Sequence, residues 1–324
     1  MNRIVWIDIA KAICIILVVI GHYFPETHPL WYGEMRNVIY TFHMPLFMFA
    51  SGYIYIATKK EISYSEFIWR KVNRLMIPYL TVSVLVVSIK LCTQSQAYVE
   101  NPVTPLSYLK IFYLPEAGVF LWFIWALWWM FVLIPLFKTP NHRLGLLGIS
   151  LILPLASSYI PDEFCLKQFS SMLQFFVMGV VAYDWKHYLL RLKRISLIFY
   201  GIAFALVEVL TYIGEGNSLL TAIVGIAFIL RVSYGIKDYV MNYAWGRTVL
   251  LVSASSYIIY LLHTTFEGFA KALLFKLPYL SDLSNNLMFS IGAVLVISTG
   301  VIIPVLLYKY VLGRYTITKM LFGL

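Results

Sequence analysis

The chain has 324 residues, 61% of them hydrophobic and only 12% charged, with a formal net charge of +10 and a mean hydropathy of +0.80. Ordinary soluble domains are about half apolar, so water cannot be the solvent for most of this surface and a soluble enzyme is excluded. The basic balance raises nucleic acid or anionic lipid as partners, and the cations lie in the connections between apolar runs, which selects membrane lipids and no nucleic acid.

The apolar runs have the length of about 20 residues that a helix needs to cross roughly 30 Å of hydrocarbon. Ten spans are predicted in chain order: 4–24, 36–57, 72–92, 118–137, 142–160, 168–185, 194–213, 218–236, 247–266 and 287–311. The first follows Met1-Asn2-Arg3, as a secretory signal would. It leads into Gly21-His22-Tyr23-Phe24-Pro25 rather than a small-x-small cleavage site, so it is read as a retained span.

Charge alternates between the connections. Lys59, Lys60, Arg70, Lys71 and Arg74 outnumber Glu61 and Glu66 in segment 58–74, segment 186–194 holds Lys186, Arg191, Lys193 and Arg194, and the tail holds Lys309, Arg314 and Lys319. On the other side, Lys110 faces Glu100 and Glu116 in segment 93–117, Lys167 faces Asp162 and Glu163, and segment 214–217 carries Glu215. Basic loops stay inside, so both termini are expected in the cytoplasm. The expected fold is an all-α transmembrane bundle of about ten spans, one domain over 1–324, without an appended soluble domain and without a convincing inverted repeat.

Cys14, Cys92 and Cys165 have no metal spacing and are an odd number for a disulfide framework, so they read as packing residues in preference to a Cys92–Cys165 pair on the outer side. The run Leu121-Trp122-Phe123-Ile124-Trp125, with Trp128 and Trp129, reads as an interfacial belt in preference to a ligand platform.

Ionisable groups inside spans are expensive and mark function. Span one has Asp8, Lys11 and His22. Lys11 and His22 are eleven positions apart, which returns to within about 20° of one helix face and separates them by roughly 16 Å. Asp8 can pair with Lys11, and an ion pair snorkelling to the inner interface together with an interfacial His22 is the purely structural alternative. Span two contains His43, Pro45, which frees a backbone carbonyl, and the small Ser51-Gly52 pair, which permits close helix contact. Span nine ends Tyr257 to His263, so three histidines could converge at one depth. They lie on separate spans without an HxxxH pair, so no metal is expected. Glu208, inside span seven, needs a partner, and one of the histidines could serve. Arg70, Lys71 and Arg74 are either positive-inside anchors or a grip for the phosphates of a cytosolic donor.

These motifs together resemble the acyltransferase-3 family of bacterial integral-membrane O-acyltransferases, in particular its fucose and polysaccharide O-acetyltransferase-like branch. The resemblance spans nearly the full length and rests on Asp8-x-x-Lys11 with His22, His43-Met44-Pro45-Leu46-Phe47 through Ser51-Gly52-Tyr53, Arg70 to Tyr79, Leu121-Trp122-Phe123, and Tyr257 through His263. Relatives often have arginine where this chain has Lys11, which keeps the charge and lacks the planar fork.

The resemblance implies a ten-helix enzyme of the bacterial cytoplasmic membrane that moves acetyl from cytosolic acetyl-CoA to a hydroxyl of a glycan or lipid-linked saccharide on the outer side. CoA phosphates would meet Arg70, Lys71, Arg74 and Lys11, and an extended pantetheine arm of order 15–20 Å would bring the thioester to His22. His22 would act as general base or as nucleophile, with Asp8 paired to Lys11, His43 or His263 orienting it or stabilising the oxyanion, and Glu208 fixing a tautomer. A transporter or flippase of a lipid-linked sugar is the alternative, and a passive scaffold would leave the aligned Lys11 and His22 unexplained.

Overall fold

The computed structural model describes residues 3–95, 99, 101–187, 195–274, 276 and 285–324. Glu100, Arg191, Lys193 and Arg194, used above to orient the chain, and most of segment 275–284 lie outside the described residues. Among the described residues every regular element is helical: α1 Val5–His22, α2 Leu30–Ala57, α3 Tyr64–Lys71, α4 Ile77–Thr93, α5 Ser107–Lys110, α6 Trp122–Leu133, α7 Pro140–Ile152, α8 Leu166–Asp184, α9 Leu197–Tyr212, α10 Ser218–Asn242, α11 Gly246–Leu274, α12 Asn286–Leu307 and α13 Thr316–Phe322.

Among the described residues seven helical stretches are long and apolar enough to cross a membrane: Val5–His22, Tyr64–Thr93, Val119–Leu136, Glu163–Asp184, Ser218–Asn242, Gly246–Leu274 and Asn286–Leu312. A helix satisfies its own backbone hydrogen bonds in hydrocarbon, which is why this composition yields helices and a multi-pass membrane protein. The other three expected spans coincide with helices that fall short by composition or length. α2 carries Arg36, His43, Pro45 and Ser51-Gly52, which lower its hydropathy. α7 gives way to a 3-10 stretch over Leu153–Tyr159, and α9 has 16 residues.

The chain forms two compact units, residues 1–51 with 185–305, and residues 52–184 with 306–324. In the first, α1 packs against α10 and α11, and α9 packs against α10. α1 buries Ile7, Ile9, Ala10, Ala12, Cys14, Ile15, Val18, Val19 and Gly21, a set that surrounds the helix and makes it a core element. Lipid tails supply no hydrophobic drive between helices, so such contacts rest on close packing. Gly225 of α10 is one such point: a Cβ there would lie 2.7 Å from Phe42 Cβ. Tyr23, Tyr32, Phe289, Ala293 and Val296 form an aromatic-rich core cluster.

In the second unit Ser63 caps α3 by accepting the Glu66 N–H at 3.3 Å, and Glu66 three residues on gives the S-x-x-E signature of a helix start. A π-helical turn, Val72–Met76, joins α3 to α4. Pro78 lacks the N–H that would bond to the Arg74 carbonyl, and the widened turn accommodates that loss. Gly323 sits against this carbonyl with φ 67°, where a Cβ would come within 2.5 Å of Arg74 O; only glycine fits both demands. Arg143 of α7 ties the unit together. Its Nη1 donates to both carboxylate oxygens of Asp184 at 2.9 Å, while Nε and Nη2 donate to the carbonyls of Phe137 and Lys138. The expected role of Ser51-Gly52 in close packing is met here, since a Cβ on Gly52 would lie 2.0 Å from the Phe176 carbonyl oxygen. Tyr79, fully buried, donates to Ile111 O and Leu114 O at 2.7 and 2.8 Å and so fastens the loop around α5.

Candidate active site

His22 is the last residue of α1, and its surroundings follow from how that helix ends. The last carbonyls of a helix have no partner within it. Here Val19 O accepts from the Tyr23 N–H at 3.3 Å and Ile20 O from the Tyr32 hydroxyl at 2.8 Å, while Val18 O, one turn before, accepts from His22 Nδ1 at 2.8 Å. Gly21 O accepts from Arg36 Nε at 3.0 Å and from the Tyr40 hydroxyl at 3.2 Å. A cation at the negative end of the helix dipole adds to this. Gly21 must be small, because a Cβ would lie 2.7 Å from the Tyr40 ring.

The structure brings two of the three predicted histidines into ring contact and the third close by. The His22 and His263 ring centroids are 4.8 Å apart at 85°. Tyr40 lies 6.5 Å from the His22 ring and 4.7 Å from that of His43. Each histidine uses Nδ1 in the same way: His43 donates to Ile39 O at 2.8 Å, and His263 to Tyr260 O at 2.8 Å and Ile259 O at 3.0 Å. A carbonyl can only accept, so Nδ1 carries the hydrogen, and in the neutral ring Nε2 is the basic nitrogen. The helix backbone therefore sets all three tautomers. His43 and His263 are 2% and 0% exposed, whereas His22 is half-buried, so His22 is the most accessible of the three rings.

Asp8 and Lys11 lie at the other end of α1. Lys11 Nζ is 4.0 Å from Asp8 Oδ1 and donates to Ser253 O at 3.4 Å. The tighter partners of Asp8 are Arg3 Nε at 2.5 Å and the Ser253 hydroxyl at 3.0 Å, so the pair is part of a four-residue network with α11. Glu208 accepts from the Thr41 hydroxyl at 2.6 Å, two residues before His43. It thus meets α2 through Thr41.

Arg70, Lys71 and Arg74 belong to the second unit and differ in state. Arg70 pairs with Glu66 at 2.6 Å on an exposed face. Lys71 Nζ sits 3.5 Å from the centroid of the Phe131 ring. Arg74, in the π turn, is exposed and makes no ion pair among the described residues. Cys14 and Cys165 are buried and Cys92 exposed, all as free thiols; Cys14 Sγ donates to His43 O at 2.9 Å. Among the described residues no group of three His, Cys, Asp or Glu is placed to hold a metal ion.

Two polar residues close to the histidines carry no functional reading from sequence. Arg36 stands with its Cζ 4.1 Å from both the Phe24 and Tyr40 ring centroids, contacts worth about 0.5–2 kcal/mol each. It falls at the first position of an expected span and reads there as a flank. Its signal is the spacing Arg36, Tyr40, His43, one face of a helix. Glu267 is 3% exposed, with Oε1 unbonded among the described residues, against Gly300, where a Cβ would lie 2.9 Å from Glu267 Cγ. The expected span stopped at 266, but α11 runs on to Leu274. Glu267 therefore lies one turn beyond His263 on the same face.

Over 146 residues the chain is 32% identical to nodulation protein NolL of Mesorhizobium japonicum, which covers 44% of this chain and 38% of that protein. Over 145 residues it is 34% identical to nodulation protein NolL of Sinorhizobium fredii, covering 43% and 38%. These matches thus span well under half the length of either relative. No solved structure matches. The acyltransferase-3 family, described as an acyltransferase domain, matches residues 4–309 and so runs through both units. With the match extending from the start of α1 to beyond the end of α12, the chain belongs to the acyltransferase-3 family of membrane proteins.

Proposed function

We propose that this protein is an O-acetyltransferase of the bacterial cytoplasmic membrane, taking acetyl from acetyl-CoA and delivering it to a hydroxyl of a cell-surface or exported glycan, or of its lipid-linked precursor, on the outer side. It works as a single ten-span catalytic domain with both termini in the cytoplasm. The observation that carries the reading is His22: a half-buried imidazole at a helix end, its Nδ1–H held by Val18 O at 2.8 Å and its ring 4.8 Å from His263, in a chain of an acyltransferase family.

Proton transfer requires an imidazole of defined tautomer within reach of a hydroxyl. His22 Nε2 takes the proton of the acceptor hydroxyl as that oxygen attacks the thioester carbonyl, and returns it to the departing CoA sulfur. His263, fully buried and edge-on to His22, fixes the plane of its ring. His43 is carried by the same α2 face as Arg36 and Tyr40 and holds Tyr40 from the other side. Lys11 and Asp8 keep α1 registered on α11 through Ser253. Arg74 and Lys71 are the candidates for the CoA phosphates, since the Arg70 guanidinium is already engaged by Glu66.

Purified protein in detergent, given acetyl-CoA and assayed for free thiol, tests the reading. The parent should release CoA, and His22→Ala should lower the rate by about 10²-fold or more with unchanged yield of folded protein. A transporter or scaffold would release none. Trapping an acetyl group on His22 by acid quench and mass spectrometry would replace the general-base role with a nucleophilic one.

A further inference from the structure

We propose that Arg36 is the oxyanion-stabilising residue of this site. The inference rests on the acyl-transfer reading above and adds to it the group that receives the negative charge.

Attack of a hydroxyl oxygen on a thioester forms the new C–O bond and moves the carbonyl π pair onto oxygen, while His22 Nε2 accepts the hydroxyl proton. Collapse re-forms C=O, breaks C–S, and the thiolate takes the proton from the imidazolium. Between the two events the substrate oxygen carries a full negative charge, and the donors that stabilise it best are fixed in advance and shielded from water. His43 and His263, the groups expected to do this from sequence, spend Nδ1–H on their own helices. A neutral imidazole has no second N–H to offer.

Arg36 has what they lack. It is permanently charged and has five N–H donors, of which the Nε–H is used on Gly21 O at 3.0 Å. That carbonyl belongs to the residue directly before His22, so guanidinium and base are held in one short frame. The Phe24 and Tyr40 rings, each 4.1 Å from Cζ, clamp the guanidinium plane and remove the reorganisation a flexible cation would need. Tyr40 is itself held by Gly21 O at 3.2 Å and stands beside both His22 and His43. Among the described residues no carboxylate forms an ion pair with Arg36. Half-buried at the first position of the expected span 36–57, the guanidinium keeps its charge free of a carboxylate, and a transient anion beside His22 is the charge it can serve.

The bland role for Arg36 is as a cap on α1, and the experiment separates the two. Purified full-length protein is titrated with CoA, and with the trifluoroacetonyl thioether of CoA, whose hydrated ketone is tetrahedral and carries an oxygen where the oxyanion would be. Free-thiol release from acetyl-CoA is followed in parallel. Arg36→Gln should leave CoA affinity within about twofold, weaken the tetrahedral analogue by about 10²-fold, and lower kcat by about 10²- to 10³-fold with KM little changed. Arg36→Lys, which keeps the charge without the fork, should recover part of the kcat. Equal loss of affinity for both ligands, or a kcat within about threefold of the parent in Arg36→Gln, would overturn the oxyanion role and leave the cap. A parent that neither binds CoA nor releases thiol would instead sink the acyl-CoA reading on which the inference rests.

Discussion

His22, Arg36 and Glu267 come from three helices, and each is intelligible through what its polar atoms touch. Nδ1 of His22 is committed to Val18 and the Nε of Arg36 to Gly21, so the chemistry available to each is set by the helix end they share. Glu267→Gln should retain most thiol release, because the buried amide keeps the shape beside Gly300; a loss as large as that of His22→Ala would add Glu267 to the reacting groups. Glu208→Gln should also be mild, since the amide oxygen can still accept from Thr41. In the second unit, loss of a charge-assisted contact from Lys71 or Arg74 should cost about 1.5–3 kcal/mol, or roughly ten- to hundredfold in CoA affinity, whereas Arg70→Ala, already in an exposed i,i+4 pair, should change little. Isothermal titration with CoA reads all three, and unchanged affinity in both Lys71→Ala and Arg74→Ala would return those residues to the role of membrane anchors.

Helices of this chain meet where side chains are absent or fully paired. Gly52 is the sharpest case, for a Cβ would lie 2.0 Å from a backbone oxygen of α8 that cannot rotate away. Gly52→Ala should therefore lower the melting temperature in detergent, at a cost of about 1–3 kcal/mol. At Gly145 and Gly148 of α7 an added Cβ would meet nothing within 4 Å, and alanine there should be neutral or stabilising by up to about 1 kcal/mol through helix propensity. The Arg143–Asp184 pair, 7% and 12% exposed, tests the converse. Arg143→Ala strands a buried carboxylate and should cost about 3–5 kcal/mol, while replacing both partners with apolar residues should cost far less. Melting curves of the single and double variants would show it; additive losses would mean the pair is not coupled.

The distribution of basic residues predicts an orientation for the chain across the membrane. Cysteine labelling should find both termini and segments 60–72 and 186–194 reactive from the cytoplasm, and segments 93–117 and 267–286 from outside. Labelling of 93–117 from the cytoplasm alone would remove the ten-span scheme. The seven stretches that qualify on length and hydropathy each hold an 18-residue window with at most two Asp, Glu, Lys or Arg residues. α2 falls short because it carries Arg36, His43 and Pro45, so the helix richest in chemistry is the one a hydropathy scale discounts.

Composition and periodicity were enough to establish a helical membrane protein, because hydrocarbon leaves the backbone few alternatives, and histidines on separate expected spans were enough to anticipate the contact of His22 with His263. What they could not supply was the pairing across helices. Glu208 reads as a partner for histidine and bonds Thr41; Glu267 reads as loop and is buried one turn beyond His263; Arg36 reads as a flank and clasps the carbonyl before His22. Helix length and axial rotation decide such contacts. Both are set by packing at points such as Gly21 and Gly225, where fractions of an ångström matter and no local pattern in the chain reports them.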